Sequence, residues 1–405
     1  MQTPTIMTPP LLKANRHPFE CPIELLERWV KINSESHNHA GVLTMQEEVS
    51  FELEALGFEV KWLHPENDST GLPLVVGTIP GIVAEGINFI CHSDTVHHSL
   101  DMPHELQKNG DYAVGPGVVD NKGGIITALL GIKNYLESLK KENKEPYYTL
   151  RFLCSPSEEL GSPGLHRYFK EFTHDGFMAL GFEPANEEGD IIESRKGNRW
   201  YNIQVTGHEA HAGRNHDKGV NAALELSQKL VELNQLTDYE KKITVSIGHL
   251  QTEKNKYNIV CGKASAKIDL RFADLKTRDE AELKIQGILA TSELYNRDKS
   301  KTTEIKYWVE DDCPPFSKGQ KSKYYLDLYK NLISDLEKRK IKSIAVGGAA
   351  DSNYLNDYHM AIIDGLGPIG HGMHTKEETI YLPSLQSRSL ALTRFLQKIS
   401  QENYQ

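Results

Sequence analysis

Several apolar stretches of this 405-residue chain are followed at once by residues that can bind a metal ion or move a proton. His92 and Asp94 come directly after the apolar run at 87–91. Alternate side chains of an extended backbone share a face, so the two are expected side by side. A carboxylate usually orients a metal-binding imidazole. The pair therefore indicates a ligand with its orienting acid, although an isolated motif of this kind is also common at a capped strand end.

A glycine-rich segment at 115–124 delivers Asp120 just before a helical pattern. Asp120 is in a position to cap that helix. Capping alone does not need the surrounding glycines, which indicate an unusual backbone around the carboxylate. Lys122 precedes the pair Gly123 and Gly124, so the segment is not a phosphate-binding loop of the P-loop type.

Glu158 and Glu159 are adjacent acids that follow the apolar run at 150–154. Neighbouring carboxylates repel each other unless a cation lies between them or one is protonated. This favours a division of labour in which Glu159 binds a metal and Glu158 accepts a proton from the attacking water. The alternative is a solvated acidic loop.

Glu183 follows another apolar run, at 177–182, and two histidines, His371 and His374, lie near the C-terminus. Together with His92, Asp120 and Glu159 they give a set of imidazoles and carboxylates without thiolate. Such a set favours zinc, manganese or cobalt at a hydrolytic centre over a structural zinc site.

The elements that must position these residues alternate between helix and strand. Apolar spacing predicts helices at 23–32, 44–56, 123–139 and 163–172, and strands at 72–79, 87–91, 148–154 and 177–182. This order predicts an α/β fold with a mainly parallel sheet covered by helices. The ligands are expected at its strand ends, where open sheets of this kind bind ligands.

The pattern changes near Lys196. Strands at 200–206, 243–250, 264–272 and 304–309 and helices at 220–236 and 278–295 predict a β-α-β-β-α-β unit, the split βαβ arrangement, before a helix at 323–339. We therefore expect a catalytic domain formed by residues 1–197 and 314–405. An α+β domain at 198–313 is inserted into it.

Composition limits the function. The 46 basic and 56 acidic residues give a net charge of −10, which argues against binding to duplex nucleic acid. The first twenty residues have no apolar core of signal-peptide length, and we find no apolar stretch long enough to span a membrane. The five cysteines are scattered, so a disulfide framework is not expected. We expect a soluble, cytoplasmic protein with no nucleic-acid or membrane partner.

Taken together, the segments HSDTV, GVVDNKGG, SEE, EP and HTKEE resemble a family of co-catalytic di-zinc metallohydrolases. That family includes glutamate carboxypeptidase, succinyl-diaminopimelate desuccinylase, acetylornithine deacetylase and aminoacylase. The resemblance extends from about residue 20 to the C-terminus and is nearest to the glutamate carboxypeptidase branch.

The resemblance implies two divalent ions per subunit, with zinc expected and manganese or cobalt as alternatives. His92 and Glu183 would hold one ion, Glu159 and His374 the other, and Asp120 would bridge them. Asp94 would orient His92, and Glu158 would be the general base. His374 is preferred to His371 because it opens the H-x-x-x-E spacing that ends at Glu378.

In the inserted domain, the segment GHEAHAG at 207–213 resembles the family segment that reaches the active site of a partner subunit. This implies a homodimer in which His211 stabilises the oxyanion and contacts substrate. Asn258 and Arg271 resemble positions that contact the substrate's carboxylate end; a turn asparagine and a surface arginine are the alternatives. Lys196 and the loop containing Gly347 and Gly348 are expected near the cleft without assigned roles.

The resemblance implies hydrolysis of an amide or peptide bond adjacent to a free carboxylate, in a peptide or an N-acyl amino acid. A glutamate at position 183 is typical of the deacylases and carboxypeptidases, whereas aminopeptidases and dipeptidases of this fold generally carry aspartate. An aminopeptidase or dipeptidase is the alternative, and a non-catalytic metal- or peptide-binding relative is a further one. The preferred acyl group and amino acid stay open, because His216, Asp217 and Lys218 replace the usual proline that follows the GHEAHAG segment.

Overall fold

The structure is a computed structural model that describes residues 18, 21–65, 71–98, 100–317, 319–356 and 359–402. The helices of these residues are α1 Pro22–Val30, α2 His39–Ala55, α3 Lys122–Lys141, α4 His166–Glu171, α5 Ala222–Asn234, α6 Leu275–Leu289, α7 Gln320–Glu337 and α8 Pro383–Gln401. Short 3-10 turns are formed by Glu158–Leu160, His216–Lys218 and Asp351–Leu355.

The strands belong to four sheets. They are β1 Glu59–Leu63, β2 Leu74–Ile79, β3 Val83–His92, β4 Gln107–Asn109, β5 Tyr112–Val114, β6 Tyr148–Ser155, β7 Gly176–Gly181, β8 Ile191–Arg195, β9 Gly197–Thr206, β10 Thr244–Thr252, β11 Lys263–Phe272, β12 Glu304–Cys313, β13 Phe316–Ser317, β14 Ser343–Val346, β15 Ala361–Ile363, β16 Gly370–His371 and β17 Thr379–Tyr381.

The largest sheet has the order β1-β2-β6-β3-β7-β15. Pairing is parallel from β6 through β3 and β7 to β15, and antiparallel at the edge formed by β1 and β2. All residues of β6 and the last seven of β3 are buried, which is typical of central strands covered on both faces. The parallel strands therefore end at one edge of the sheet, where their following residues meet.

Helices cover this sheet and bury its apolar side chains. On one face α3 packs along α8, and α1 packs against α3, so that Trp29, Ile126 and Phe395 are fully buried in one core with residues of β3 and β6. A second cluster, on the other side of the sheet, contains Phe169 of α4 and Tyr354 of the 3-10 turn Asp351–Leu355. The mainly parallel sheet covered by helices is the arrangement predicted from the sequence.

The second large sheet is antiparallel, with the order β10-β11-β9-β12. Tyr201, Ile203 and Val205 alternate along β9 and are buried together with residues of α5 and α6. The two helices thus cover one face of the sheet, as the split βαβ pattern predicts. The domain boundaries drawn from the sequence stay a prediction.

Local differences from the sequence prediction have physical causes. The helix predicted at 163–172 is only His166–Glu171, because Ser162 and Gly164 have positive φ angles of 49° and 75° that interrupt a helix. The helix predicted at 278–295 begins at Leu275, since the Asp274 side chain accepts the Thr277 N–H at 2.8 Å and caps it. No bounds were predicted for the short strands β1, β4, β5, β8 and β13–β17.

Within the described ranges, we find no helix with the length and apolar character needed to cross a lipid bilayer.

Two helical glycines offer a matched test of the packing between α3 and α8. A Cβ atom added to Gly131 would lie 2.5–2.8 Å from three side-chain atoms of Leu392, whereas one added to Gly287 of α6 meets nothing within 4 Å. We expect Gly131→Ala to lower the free energy of unfolding by about 1–3 kcal/mol through overpacking. Gly287→Ala should raise it by about 0.5–1 kcal/mol, because alanine favours helix.

Denaturant midpoints followed by circular dichroism would measure both changes. Equal effects of the two variants would contradict the close packing of α3 on α8.

Candidate metal centre

Three predicted ligands emerge from neighbouring strands of the main sheet. His92 is the last residue of β3, Glu159 lies in the 3-10 turn directly after β6, and Glu183 is two residues beyond β7. Because β6, β3 and β7 are adjacent and parallel, their carboxyl ends place these side chains at one edge.

Asp120 lies near the same edge but on a loop between β5 and α3. It stands at the N-terminal end of α3 and follows β5, a strand of a small separate sheet, so it does not lie at a strand end of the main sheet as the sequence suggested. The preceding turn needs Gly117, whose φ is +74° and whose added Cβ would approach Thr95 at 2.8 Å. The peptide bond between Asp120 and Asn121 is cis.

His374 lies in the turn between β16 and β17. Gly372, with φ of +73°, starts this turn, and its carbonyl accepts the Thr375 N–H at 3.0 Å. His371 is the last residue of β16 and is exposed. The structure thus brings His374, and not His371, to the Asp120 carboxylate.

The five residues form two halves that share Asp120. In one half, His92 Nε2 lies 2.9 Å from Asp120 Oδ1 and 3.7 Å from Glu183 Oε1. In the other, His374 Nε2 lies 3.5 Å from Asp120 Oδ2 and 3.4 Å from Glu159 Oε2. Each oxygen of Asp120 therefore faces a different imidazole, and each imidazole also faces a second carboxylate.

Asp94 holds the first half in place from behind. It is fully buried, and its Oδ1 lies 3.2 Å from His92 Nδ1. It also accepts the backbone N–H groups of Glu158 at 3.1 Å and Glu159 at 3.3 Å. One carboxylate thus orients a predicted ligand and the turn that carries both glutamates.

The charges of the centre show an excess of acid. Burial and the charge of Asp120 raise the pKa of Glu183 to about 8, and burial with the charge of Glu183 raises the pKa of Glu158. Hydrogen bonds to Asp120 and Glu159 raise the pKa of His374 to about 10. Positive charge is therefore favoured at this place, and protons supply it when no metal ion does.

The donor set fits divalent metal ions. His92, Asp120 and Glu159 offer ligand atoms that all lie within 4.8 Å of one another. Glu159 Oε1 is buried and has no hydrogen-bond partner among the described residues, which is costly unless a cation is present. Imidazole and carboxylate ligands suit zinc, manganese or cobalt.

A cleft of about 550 Å³ opens over these ligands. Glu158 lines it together with Asp120, Glu159, Glu183 and His374. The four-stranded antiparallel sheet contributes Arg271 of β11 and Asn198 of β9, which are register partners in that sheet. The cleft is therefore lined both by predicted metal ligands and by an arginine.

The remaining predicted residues lie apart from this cleft. His211 is exposed, and its Nδ1 accepts the Gly213 N–H at 3.1 Å. Asn258 is exposed on a loop, where its carbonyl accepts the Ala212 N–H at 3.0 Å. Within one chain, neither lines the cleft that holds the metal ligands.

Sequence reasoning missed two residues that support the centre. The Ser36 hydroxyl donates to Asp94 Oδ2 at 2.8 Å. Asp351 lines the cleft, in the loop that the sequence predicted near it without a role. Glu378 is fully buried beneath the Asp120 loop. Its place in the H-x-x-x-E spacing was a signal, whereas nothing in the sequence connects Ser36 to Asp94.

Two protein-family models match parts of this chain. The Peptidase dimerisation domain matches residues 194–295, which overlap most of the predicted inserted domain. Peptidase family M28 matches residues 75–240, which contain His92, Asp120, Glu159 and Glu183.

Whole proteins are similar as well. Carboxypeptidase G2 of Pseudomonas sp. (strain RS-16) is 26% identical over 386 residues, covering 92% of this chain and 88% of that protein. Succinyl-diaminopimelate desuccinylase of Beijerinckia indica is 24% identical over 298 residues, covering 70% and 73%. The chain is homologous to both. These similarities confirm the resemblance inferred from the motifs. They also confirm the prediction that the protein is a hydrolase of peptide or amide bonds.

The fold agrees with solved structures. An M20 family metallo-carboxypeptidase from Sulfolobus solfataricus superimposes with a TM-score of 0.72 at 16% identity, covering 93% of this chain and 99% of that one. The predicted fold class is confirmed.

Proton release should accompany metal binding. With pKa values of about 10 for His374 and about 8 for Glu183, both side chains are mainly protonated at neutral pH without metal. Zinc needs the neutral imidazole and the ionised carboxylate, so binding expels protons. We expect the apparent zinc affinity to rise from about pH 6 to about pH 8.

Titration calorimetry in two buffers of different ionisation enthalpy would count the protons. His374→Gln should reduce the release, whereas His371→Gln at the exposed neighbour should leave it unchanged. A binding enthalpy that is independent of the buffer would contradict the prediction.

Proposed function

We propose that this protein is a di-metal hydrolase that cleaves an amide or peptide bond next to a free carboxylate, as a carboxypeptidase or an N-acyl-amino-acid deacylase. One observation carries the proposal: the Asp120 carboxylate lies between His92 and His374, 2.9 Å from one imidazole and 3.5 Å from the other. A shared carboxylate with one imidazole and one further carboxylate on each side is suited to a pair of ions.

In this proposal His92 and Glu183 would hold one ion, Glu159 and His374 would hold the other, and Asp120 would be shared between them. Zinc is the expected metal, with manganese or cobalt as alternatives. When bound, the ions would polarise the scissile carbonyl and lower the pKa of the attacking water. Asp94 keeps the His92 ring oriented, because His92 Nδ1 lies 3.1 Å from the Asp94 carbonyl and 3.2 Å from its carboxylate.

Glu158 is the proposed general base. It lines the cleft beside Glu159, and its backbone is fixed by the hydrogen bond to Asp94. Burial raises its pKa, which gives its carboxylate a higher proton affinity than that of an exposed glutamate. Glu158 would accept a proton from the attacking water and donate it to the nitrogen of the leaving amine.

Arg271 is the proposed contact for the substrate's carboxylate. Its Nε donates to Asp269 at 2.8 Å, which fixes the direction of the guanidinium, and its side chain lines the cleft. Within the described part of the chain no hydrogen bond engages its two terminal nitrogens, so they are available for a carboxylate. Recognition of a free carboxylate by Arg271 would be in keeping with a carboxypeptidase or deacylase.

A second copy of the chain would complete the site. We propose a homodimer formed through the inserted domain, in which His211 of one subunit stabilises the oxyanion in the other and Asn258 contacts substrate. The match to a dimerisation domain over 194–295 and the exposure of His211 support this arrangement. The domain boundaries 1–197, 198–313 and 314–405 and a cytoplasmic location belong to the same proposal.

Replacing the base tests the mechanism. Glu158→Gln keeps the shape of the side chain but cannot accept the proton, so kcat should fall by about 10²–10⁴-fold while metal content is unchanged. Glu187→Gln, at an exposed glutamate outside the cleft, is the matched control and should keep both. Full turnover by Glu158→Gln with bound metal would show that another group moves the proton.

The substrate class is tested by pairing Arg271→Ala with a matched pair of substrates. Wild-type protein should cleave an N-acyl amino acid about 10–100-fold more efficiently than the same compound with its carboxylate amidated, since a charge-assisted hydrogen bond contributes about 1.5–3 kcal/mol. Arg271→Ala should lose most of this preference through KM.

Free-amino dipeptides provide the opposing result. Preferred cleavage of these dipeptides over the same compounds with an acylated amine would favour an aminopeptidase or dipeptidase. Metal binding without hydrolysis of any of the compounds would favour a non-catalytic relative.

A further inference from the structure

We propose that Glu378, assisted by His97, is a positioning residue that fixes the Asp120 carboxylate between His92 and His374 and so sets the affinity of the centre for metal ions. This inference rests on the proposed function, because it assumes that Asp120 binds metal. Nothing in the proposed reaction uses Glu378 or His97 directly.

Glu378 is fully buried and accepts hydrogen bonds with both carboxylate oxygens. Its Oε1 accepts the backbone N–H of Val119 at 2.8 Å and that of Asp120 itself at 3.0 Å. Its Oε2 accepts the backbone N–H of Gly117 at 2.8 Å and faces His97 Nε2 at 2.6 Å. Three N–H groups of one short loop therefore converge on a single side chain.

Glu378 also belongs to the turn that carries His374. It ends that turn, and its own N–H donates to the Thr375 carbonyl at 3.3 Å. The backbone of the His374 turn is thereby connected to the backbone of the Asp120 loop. Since His374 and Asp120 face each other at 3.5 Å, one carboxylate controls the distance between two predicted ligands.

A purely structural role is the competing explanation, because a buried carboxylate must be paired wherever it occurs. Two side chains near the Glu378 carboxylate, those of Lys122 and His97, are relevant to its pairing. Lys122 is buried, its Nζ donates to the Ile32 carbonyl at 2.9 Å, and it lies near Glu378. The pairing of Glu378 therefore involves the His97 imidazole and three backbone N–H groups, one of which belongs to Asp120 itself.

Variants of Glu378 and His97 distinguish a role in positioning the metal ligands from a role in folding alone. We would measure zinc affinity by chelator competition, and the melting temperature with and without zinc, for Glu378→Gln, His97→Ala and His97→Gln in the full chain. We expect about 10–100-fold weaker zinc binding for Glu378→Gln and His97→Ala, as for other groups that orient metal ligands. His97→Gln retains a donor near Glu378 Oε2 and should recover part of the affinity.

Glu377→Gln is the matched control, because this exposed neighbour lies in the same turn and should bind zinc as the wild type does. If Glu378→Gln fails to fold, the two His97 variants still decide the question. The inference is overturned if Glu378→Gln or His97→Ala melts at a lower temperature by the same amount with and without zinc while its affinity is unchanged. Absence of zinc binding by the wild type would instead overturn the proposed function.

Discussion

The Asp120 carboxylate faces two imidazoles at once, and the rest of the centre depends on that arrangement. The carboxylates of Asp120, Glu158, Glu159 and Glu183 line one cleft together with those of Asp311 and Asp351, and positive charge relieves their mutual repulsion. Protons supply part of it, as the raised pKa values of Glu183 and His374 show. Two divalent ions would supply it permanently and in fixed positions.

Two further buried carboxylates bind the backbone of the loops that carry the predicted ligands. Asp94 accepts the N–H groups of Glu158 and Glu159, and Glu378 accepts the N–H of Asp120. Neither acid is among the predicted ligands, and both are fully buried. Hydrogen bonds of this kind fix backbone positions without adding apolar bulk to a cleft that substrate must enter.

Much of this centre could be predicted from the sequence, because its ligands follow apolar strands directly. His92, Glu159 and Glu183 are close in space because β3, β6 and β7 are parallel neighbours, and the alternation of helix and strand predicts that. Asp120 was placed at a strand end by analogy with the others, whereas it belongs to the N-terminal end of α3. The glycines around it indicated an unusual backbone but not which sheet precedes it.

What could not be predicted depends on contacts between distant parts of the chain. The hydrogen bond from Ser36 to Asp94 joins residues 58 positions apart, and the one from Asp120 to Glu378 joins residues 258 apart. Neither is encoded in local periodicity. His211 and Asn258 are exposed in the single chain, and their predicted roles came from the resemblance and not from spacing along the sequence.

Arg271 lies on the four-stranded sheet, which the chain enters from and leaves to the three-stranded sheet formed by β13, β8 and β14. The chain crosses at Lys196, between β8 and β9, and again after Cys313, where β12 ends. The Asn353 amide donates to the Lys196 carbonyl at 3.1 Å and to the Pro314 carbonyl at 2.8 Å, so one buried side chain holds both crossings. Asn353 belongs to the 3-10 turn that begins at Asp351, and Asp351 lines the cleft. Asn353 therefore connects both crossings to the turn whose Asp351 lines the cleft together with Arg271.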